Sequence, residues 1–227
     1  WLTAIAEELP LSFHSTALSL GSVDGPDPVE LDKLVGLATR YGPRLISDHL
    51  SWSNNSDEKF PDLLPVPYTR EALDVLVRNI DLVQSRLKRQ ILIENPSRYL
   101  AFAGDEFDEV EFIHLICSKA GCGLLLDINN VEVTAHNIGF DARTYLKRIN
   151  ASLVEEIHIA GHAVEWFDDG PALKIDDHGS DTSECCWELL AEFVRDHGPF
   201  SILVERDSNI PPYAELVREM TRAKSLL

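Results

Sequence analysis

Short apolar runs that stop at a residue able to bind a metal ion recur seven times along this chain. The residues at these ends are four histidines and four carboxylates: His14, His49, Glu94, Asp127, His158, Asp176, His178 and Glu205. Imidazole nitrogens and carboxylate oxygens without sulfur suit zinc, iron or manganese. Because four carboxylates buried together without cations would cost several kcal/mol each, the pattern predicts one polynuclear metal centre.

The elements that would position these residues are buried parallel strands. Apolar runs of four to six residues, at spacings of about 30–45 residues, indicate parallel strands separated by helices. In a closed parallel barrel all strand C-termini open on one face, where their side chains converge. We therefore expect an α/β fold, a single (βα)8 TIM barrel over residues 1–227; an open doubly wound sheet is the alternative. The segment LTAIAEEL resembles the end of a helix before the strand that reaches His14, so we expect the first barrel strand to be missing and the domain to be N-terminally incomplete.

Helical signals fall between the apolar runs. Asp27-Pro28 predicts a helix start, and Gly42-Pro43 predicts its end. Thr69 is predicted to cap a longer helix with an apolar face. Further helices are predicted near residues 108–120, 141–150, 184–197 and 212–225. Residues 51–68 and 162–172 are predicted to be loops over the site.

Individual roles follow from position. A carboxylate can bridge two cations about 3.5–4 Å apart, and Glu94, near the middle of the set, is the candidate bridge and a catalytic candidate. Asp176 and His178 would face the same way in a strand and could share a metal. His162 lies beyond the strand that holds His158 and is predicted to act as an acid or base, or to support a ligand. Asn130 could add an oxygen to a third metal, or simply close a turn.

Composition narrows the class of protein. The net charge of −18, from 38 acidic and 20 basic residues, argues against nucleic acid as a partner. No apolar stretch approaches 18 residues, so we expect no membrane span, and the N-terminus does not have the pattern of a signal peptide. The four cysteines have no CxxC spacing, which favours reduced thiols in the cytoplasm.

Six segments together resemble one known family: SDHLSW, LLPVPYT, LIENPSRYL, LLLDINNVEV, IHIAGH and LVERDSNIPP. It is the domain-of-unknown-function 692 family, also described as multinuclear non-haem iron-dependent oxidative enzymes. The resemblance spans residues from about 10 to 215, with the segments in the family's order. We expect the family's N-terminal segment, with the first barrel strand, to have no counterpart in this sequence.

The ligand order is also similar to that of the endonuclease-four-type and xylose-isomerase-like barrels. That resemblance implies a first metal on His14, His49 and Glu94. It implies a second metal on Glu94, Asp127, His158 and Glu205. A third would be held by Asp176 and His178, with Asn130 standing where the endonuclease type carries histidine.

Characterised relatives in this family bind two or three irons and use dioxygen to modify a cysteine of a precursor peptide. A small partner protein presents the peptide, as in methanobactin biosynthesis. The resemblance therefore implies a mixed Fe2+/Fe3+ centre, a cysteine-containing precursor peptide and a small peptide-presenting partner.

Two alternatives remain open. One is a redox-neutral hydrolase or sugar isomerase that uses zinc or manganese on the same barrel. A sugar isomerase would normally use a lysine near the metals, but Lys174, the lysine nearest a predicted strand end, lies before the ligands. The other alternative is a metal- or partner-binding protein without catalysis.

Overall fold

A computed structural model describes residues 1–55, 58–168 and 170–227. The chain divides into two compact units. The first unit comprises Trp1–Glu94 and Phe102–Leu124, and the second comprises Asn95–Ala101 and Leu125–Leu227.

The first unit alternates helices with short parallel strands. Its elements are α1 (Leu2–Glu8), β1 (Ser12–His14), α2 (Pro28–Tyr41), β2 (Leu45–His49), β3 (Ser51–Asn55), β4 (Glu58–Pro65), α3 (Arg70–Leu87), β5 (Leu92–Glu94) and α4 (Glu109–Ala120). Strands β1, β2 and β5 are neighbours in that order and run parallel, with His14 opposite Ser47 and His49 opposite Glu94. This register brings the C-terminal ends of the three strands level with one another.

The helix ends of the first unit follow the predicted capping signals. The Asp27 carboxylate accepts hydrogen bonds from the first-turn amides of α2, and Gly42 ends that helix with a φ of 56°. The Thr69 hydroxyl accepts from Ala72 N at the start of α3. Helix α3 buries the apolar face that the sequence predicted, from Leu73 to Val83. The predictions of α2 and α3 are therefore confirmed, as is that of α4, which begins after the cap Asp108.

The second unit continues the alternation. After β6 (Gly123–Asp127), in which the chain passes into this unit, its elements are α5 (Ile128–Thr134), a π-helical turn (Ala135–Gly139), α6 (Ala142–Arg148), a 3-10 turn (Ala151–Leu153), β7 (Val154–Ile159), β8 (Ala163–Glu165), β9 (Leu173–Ile175), α7 (Glu184–His197), β10 (Ser201–Val204) and α8 (Tyr213–Lys224). Strands β7 and β10 run parallel, with Ile157 opposite Ile202. The predicted helices near 141–150, 184–197 and 212–225 are confirmed as α6, α7 and α8.

The prediction of a loop over residues 51–68 is wrong. Strands β3 and β4 form an antiparallel pair, in which Trp52 lies opposite Leu64. The Trp52 indole N–H donates to Pro65 O at 3.0 Å, and its ring meets Phe60 edge-on with centroids 5.5 Å apart. Cross-strand aromatic contacts of this kind stabilise a strand pair whose sequence is otherwise polar and rich in proline. Residues 56 and 57 lie outside the described residues.

The apolar run before Asp176 is not a strand of the parallel sheet, contrary to the prediction. It forms β9, which pairs antiparallel with β8 so that Lys174 lies opposite Val164. Strand β8 also occupies part of the predicted loop over 162–172. A segment as short as Leu-Lys-Ile fits a small hairpin as well as a strand of the parallel sheet, and only its pairing partner separates the two.

No helix in the described part of the chain is both long and apolar enough to cross a bilayer. All four cysteines are free thiols; Cys185 is exposed, and the other three are buried.

Candidate metal centre

The first unit gathers His14, His49 and Glu94 at the ends of its three parallel strands, and these residues are called the first cluster. The Glu94 Oε2 atom lies 3.1 Å from His14 Nε2 and 3.0 Å from His49 Nε2. The two Nε2 atoms are 3.3 Å apart. Three atoms able to bind a metal therefore converge on one point.

These separations fit a single bound cation. Nitrogen and oxygen donors sit about 2.1 Å from zinc or a similar ion, so neighbouring donors lie about 3.0 Å apart in an octahedron and about 3.4 Å apart in a tetrahedron. The three distances in the first cluster, 3.0, 3.1 and 3.3 Å, fall within that interval. The geometry of the first cluster is thus compatible with metal binding.

A serine fixes the ring of His14. The Ser47 hydroxyl lies 2.7 Å from His14 Nδ1 and donates to Phe13 O at 3.4 Å. The other ring nitrogen, Nε2, faces Glu94. Metal-binding histidines are commonly oriented through their other ring nitrogen in this way.

Glu94 and its neighbour Asp48 are both buried, but their pKa values are shifted in opposite directions. Burial alone would raise the pKa of Glu94, but His49 and His14 hold that pKa well below its usual range. Burial raises the pKa of Asp48, which precedes His49. Asp48 accepts hydrogen bonds from the amides of Leu18 and His49, at 3.1 and 2.6 Å. Asp48 therefore braces the backbone beside the cluster.

The second unit gathers a second cluster, which consists of Asp127, His158, Asp176, His178 and Glu205. Asp127 ends β6, His158 lies in β7, and Glu205 directly follows β10. The Glu205 Oε2 atom is 3.0 Å from His158 Nδ1 and 3.7 Å from His178 Nδ1. One ligand atom each of Asp127, His178 and Glu205 lies within 4.8 Å of the others. These residues could also hold a cation.

Asp176 and His178 meet, but not because they alternate along a strand. Both follow the end of β9, and His178 has a φ of 46°, in the left-handed region. This turn brings His178 Nε2 to 2.7 Å from Asp176 Oδ1. The predicted proximity of the two side chains is confirmed, while the predicted strand geometry is wrong.

His178 lies among carboxylates. Burial alone would lower its pKa, but Asp176, Glu205 and Asp127 together raise the pKa to about 10. The accumulation of negative charge around one imidazole is the environment that a divalent cation would match.

The pH dependence of stability in metal-stripped protein should reflect this pKa. A pKa raised from 6.5 to about 10 means that protonation of His178 favours the folded state. This contribution is complete below pH 6.5 and is lost as the pH rises toward 10. Thermal unfolding across this range should show a larger decrease in Tm for the unaltered protein than for His178→Gln, by about 2–4 °C for each kcal/mol lost. Equal slopes for the two proteins would contradict the assignment.

Asn95 fixes the backbone of Asp127. Its Nδ2 donates to Asp127 O at 2.9 Å, and its Oδ1 accepts from Asp127 N at 2.8 Å. The Asn95 side chain is buried, so these two backbone groups have no access to water there. The Asp127 Oδ1 atom in turn accepts from Asn130 N at 2.6 Å and so caps α5.

We expect Asn95→Ala to lower the free energy of unfolding by about 2–4 kcal/mol, because two buried backbone groups would each lose a partner. Urea unfolding would measure the effect. Asn150→Ala, which removes an exposed cap of the 3-10 turn, is the matched control and should cost about 1 kcal/mol or less. Similar losses in the two variants would mean that the Asn95 hydrogen bonds contribute little.

Asn130 and His162 were both predicted to serve the site. Asn130 lies in the first turn of α5, and its Nδ2 donates to Asn95 O at 3.1 Å. His162 Nδ1 donates to Asn129 Oδ1 at 2.8 Å, while Asn129 Nδ2 donates to Asp176 Oδ1 at 2.8 Å. Burial lowers the pKa of His162. The metal-ligand role of Asn130 and the catalytic role of His162 stay predictions.

Comparison with known proteins identifies the family. The family model of the RiPP precursor modification enzyme MbnB/TglH/ChrH matches residues 1–227. The chain belongs to this family. Its relatives include a UPF0276 protein of Caulobacter vibrioides, 43% identical over 226 residues, which are 100% of this chain and 80% of the relative. The UPF0276 protein VV3194 of Vibrio vulnificus is 44% identical over 226 residues, covering 100% of this chain and 77% of the relative.

Solved structures confirm the fold class of this MbnB/TglH/ChrH family member. A xylose isomerase-like TIM barrel protein from Mycobacterium smegmatis in complex with magnesium has a TM-score of 0.61 at 12% identity, covering 99% of this chain and 76% of that chain. The 3-keto-D-glucoside 4-epimerase YcjR from E. coli has a TM-score of 0.59 at 15% identity, covering 99% of this chain and 82% of that chain. The predicted TIM-barrel fold and the family resemblance are therefore both confirmed.

Several residues that support the clusters of this family member were not predicted. They are Ser47, Asn95 and Asn129. Asn95 and Asn129 each follow a strand-end acid within two residues, in Glu94-Asn95 and Asp127-Ile128-Asn129, and this spacing is the signal that could have indicated them. The family consists of enzymes that modify peptide precursors, so this chain is an enzyme with a peptide substrate.

Proposed function

We propose that this protein is a multinuclear non-haem iron enzyme that uses dioxygen to modify a cysteine of a precursor peptide. The observation that carries the proposal is the convergence of two imidazoles and one carboxylate in the first cluster, within 3.0–3.3 Å of one another, in a chain of a peptide-modifying family. Donor sets of nitrogen and oxygen with an open position suit iron that must also accept a thiolate and dioxygen. The oxidative chemistry and the cysteine target follow from the family resemblance of the sequence.

The proposed ligands are the residues of the two clusters together with Asn130. His14, His49 and Glu94 would hold one ion. Asp127, His158 and Glu205 would hold another. Asp176 and His178, with Asn130, would hold a third. The bridging role of Glu94 stays a prediction. Bound iron supplies Lewis acidity toward the substrate thiolate and one-electron chemistry toward dioxygen.

The chain itself would orient ligands and move a proton. Ser47 contacts Nδ1 of His14 and so holds the ring with Nε2 toward Glu94. His162 donates its Nδ1 proton to Asn129, so its lone pair is on Nε2. Because burial lowers the pKa of His162, the imidazole is neutral near pH 7 and can accept a proton at Nε2. We propose His162 as the acid or base of the reaction.

The proposal also includes a small partner protein that presents the peptide, and a cytoplasmic location. The partner is implied by the family resemblance. The cytoplasmic location is supported by the four free cysteines.

The test is to purify the protein without oxygen, measure its metals by mass spectrometry and Mössbauer spectroscopy, and follow oxygen uptake with a cysteine-containing precursor peptide. Two or three irons per chain with coupled ferrous and ferric signals, and oxygen uptake that a Cys→Ser peptide does not support, are expected. Stoichiometric zinc or manganese without oxygen uptake would favour a redox-neutral reaction. Peptide binding without turnover in metal-loaded protein would favour a binding protein.

A further inference from the structure

A buried ion pair lies beside the second cluster and takes no part in the proposed metal coordination. Glu132, on α5, and Lys174, on β9, have side chains that are 6% and 18% exposed. Lys174 Nζ contacts Glu132 Oε1, and Ser183 Oγ donates to Glu132 Oε2. His162 Nε2 lies 3.7 Å from Glu132 Oε1. Both oxygens of this carboxylate therefore have polar partners from other segments.

The pair joins segments that carry the second cluster. Helix α5 begins at its cap Asp127, while β9 directly precedes Asp176 and His178. The backbone of Lys174 is held as well: Asn137 Oδ1 accepts from its N–H at 3.0 Å, and Asn137 Nδ2 donates to its carbonyl at 2.9 Å. Lys174 is thus attached to the helical segment through both its backbone and its side chain.

The hairpin alone is a weak support for these ligands. Strands β8 and β9 have three residues each, and an isolated two-stranded hairpin is marginally stable in water. The side chains of Val164 and Glu165 are exposed, so β8 adds little burial. The attachment of β9 to α5 and the π-helical turn therefore adds to the direct contacts that Asp176 makes with Asn129 and His178 makes with Asp207.

We propose that Glu132 and Lys174 are positioning residues that hold β9 on α5 and thereby set the metal affinity of the second cluster. Lys174 neutralises the buried Glu132 carboxylate, and the resulting contact fixes the start of the turn on which Asp176 and His178 lie. This inference rests on the proposed metal centre. Loss of a residue that orients metal ligands typically weakens metal binding by about 10–100-fold.

The test is an anaerobic Co2+ titration of the full chain, followed by the visible absorption of the bound ion and by calorimetry. In Lys174→Met, the affinity for one class of bound Co2+ should fall by about 10–100-fold, and the absorption bands of that Co2+ should change. The remaining Co2+ should bind as in the unaltered protein, because the first cluster is intact. Lys174→Arg, which keeps the charge, should restore most of the affinity. Arg222→Met is the matched control, since it breaks an exposed ion pair with Glu184 of 2.7 Å in the same unit.

Circular dichroism of the metal-free variants separates folding from positioning. If Lys174→Met does not fold, Glu132→Gln/Lys174→Met removes both charges and should show the same loss of affinity in a folded protein. Unchanged Co2+ affinity and absorption with only a lower Tm would overturn the inference, leaving the pair a stabilising contact. If the unaltered protein binds no Co2+, the proposed metal centre fails as well; if it binds Co2+ and the variants match it, only the positioning role fails.

Discussion

Glu94→Gln is expected to abolish peptide modification and to lower the metal content by at least one ion per chain. Glu94 Oε2 lies 3.0 Å from His49 Nε2 and 3.1 Å from His14 Nε2, and the side chain is buried. Glutamine has nearly the same shape but no charge, and its amide group would present N–H donors in place of one carboxylate oxygen. A cation in the first cluster would lose its anionic ligand. Mass spectrometry of anaerobically reconstituted protein measures the metal, and oxygen uptake measures the activity.

The matched control is Glu109→Gln, another buried acid of the same unit. Glu109 Oε2 accepts a hydrogen bond from Tyr68 Oη at 2.9 Å and belongs to neither cluster. This variant should lose about 1–3 kcal/mol of stability while keeping its metal. Full metal occupancy in Glu94→Gln would refute the ligand role of Glu94.

The first cluster could be predicted because its residues obey local rules. His14, His49 and Glu94 each end an apolar run, and parallel neighbours place such ends together. The helix ends could be predicted equally well, because Asp27, Thr69 and Gly42 are residue types that commonly cap helices. Both kinds of inference need only the order of residues along the chain.

The β8–β9 hairpin and α5 could not be predicted in the same way. The segment Leu173–Ile175 has apolar residues at both ends, as the predicted strand required, and nothing local shows that its partner is β8. Helix α5 contains the β-branched Val131 and Val133, which disfavour a helix. It forms nevertheless because Asp127 caps it and its side chains are buried. Tertiary contacts therefore decide both elements.

The supporting residues depend on distant partners. Asn95 acts on Asp127, and Glu132 acts on Lys174, at separations of 32 and 42 residues. A buried polar residue must find a hydrogen-bond partner, but the sequence does not show which one. The search for metal-binding residues at the ends of apolar runs therefore found candidate ligands, but it could not find the residues that orient them.

Glu205→Gln is expected to remove an ion from the second cluster and to abolish activity. Glu205 Oε2 is 3.0 Å from His158 Nδ1 and 3.7 Å from His178 Nδ1, so one oxygen serves two imidazoles. The neutral amide would leave both rings without that anion and would weaken the binding of any cation they share. Metal analysis should find at least one ion fewer, while the first cluster keeps its own. Activity should fall more than a hundredfold, because removing a metal ligand costs at least as much as removing its support.

Asp207→Asn separates this ligand role from the general effect of charge near His178. Asp207 Oδ2 lies 3.1 Å from the same His178 Nδ1, but its side chain is 66% exposed whereas that of Glu205 is 16% exposed. Water screens an exposed acid, so its loss should change metal affinity by less than about tenfold. Both substitutions remove one negative charge from the surroundings of His178, and only Glu205→Gln also takes the charge from the partly buried contact to His158. If the two variants lose metal equally, the total charge around His178 governs binding, and Glu205 is not a specific ligand.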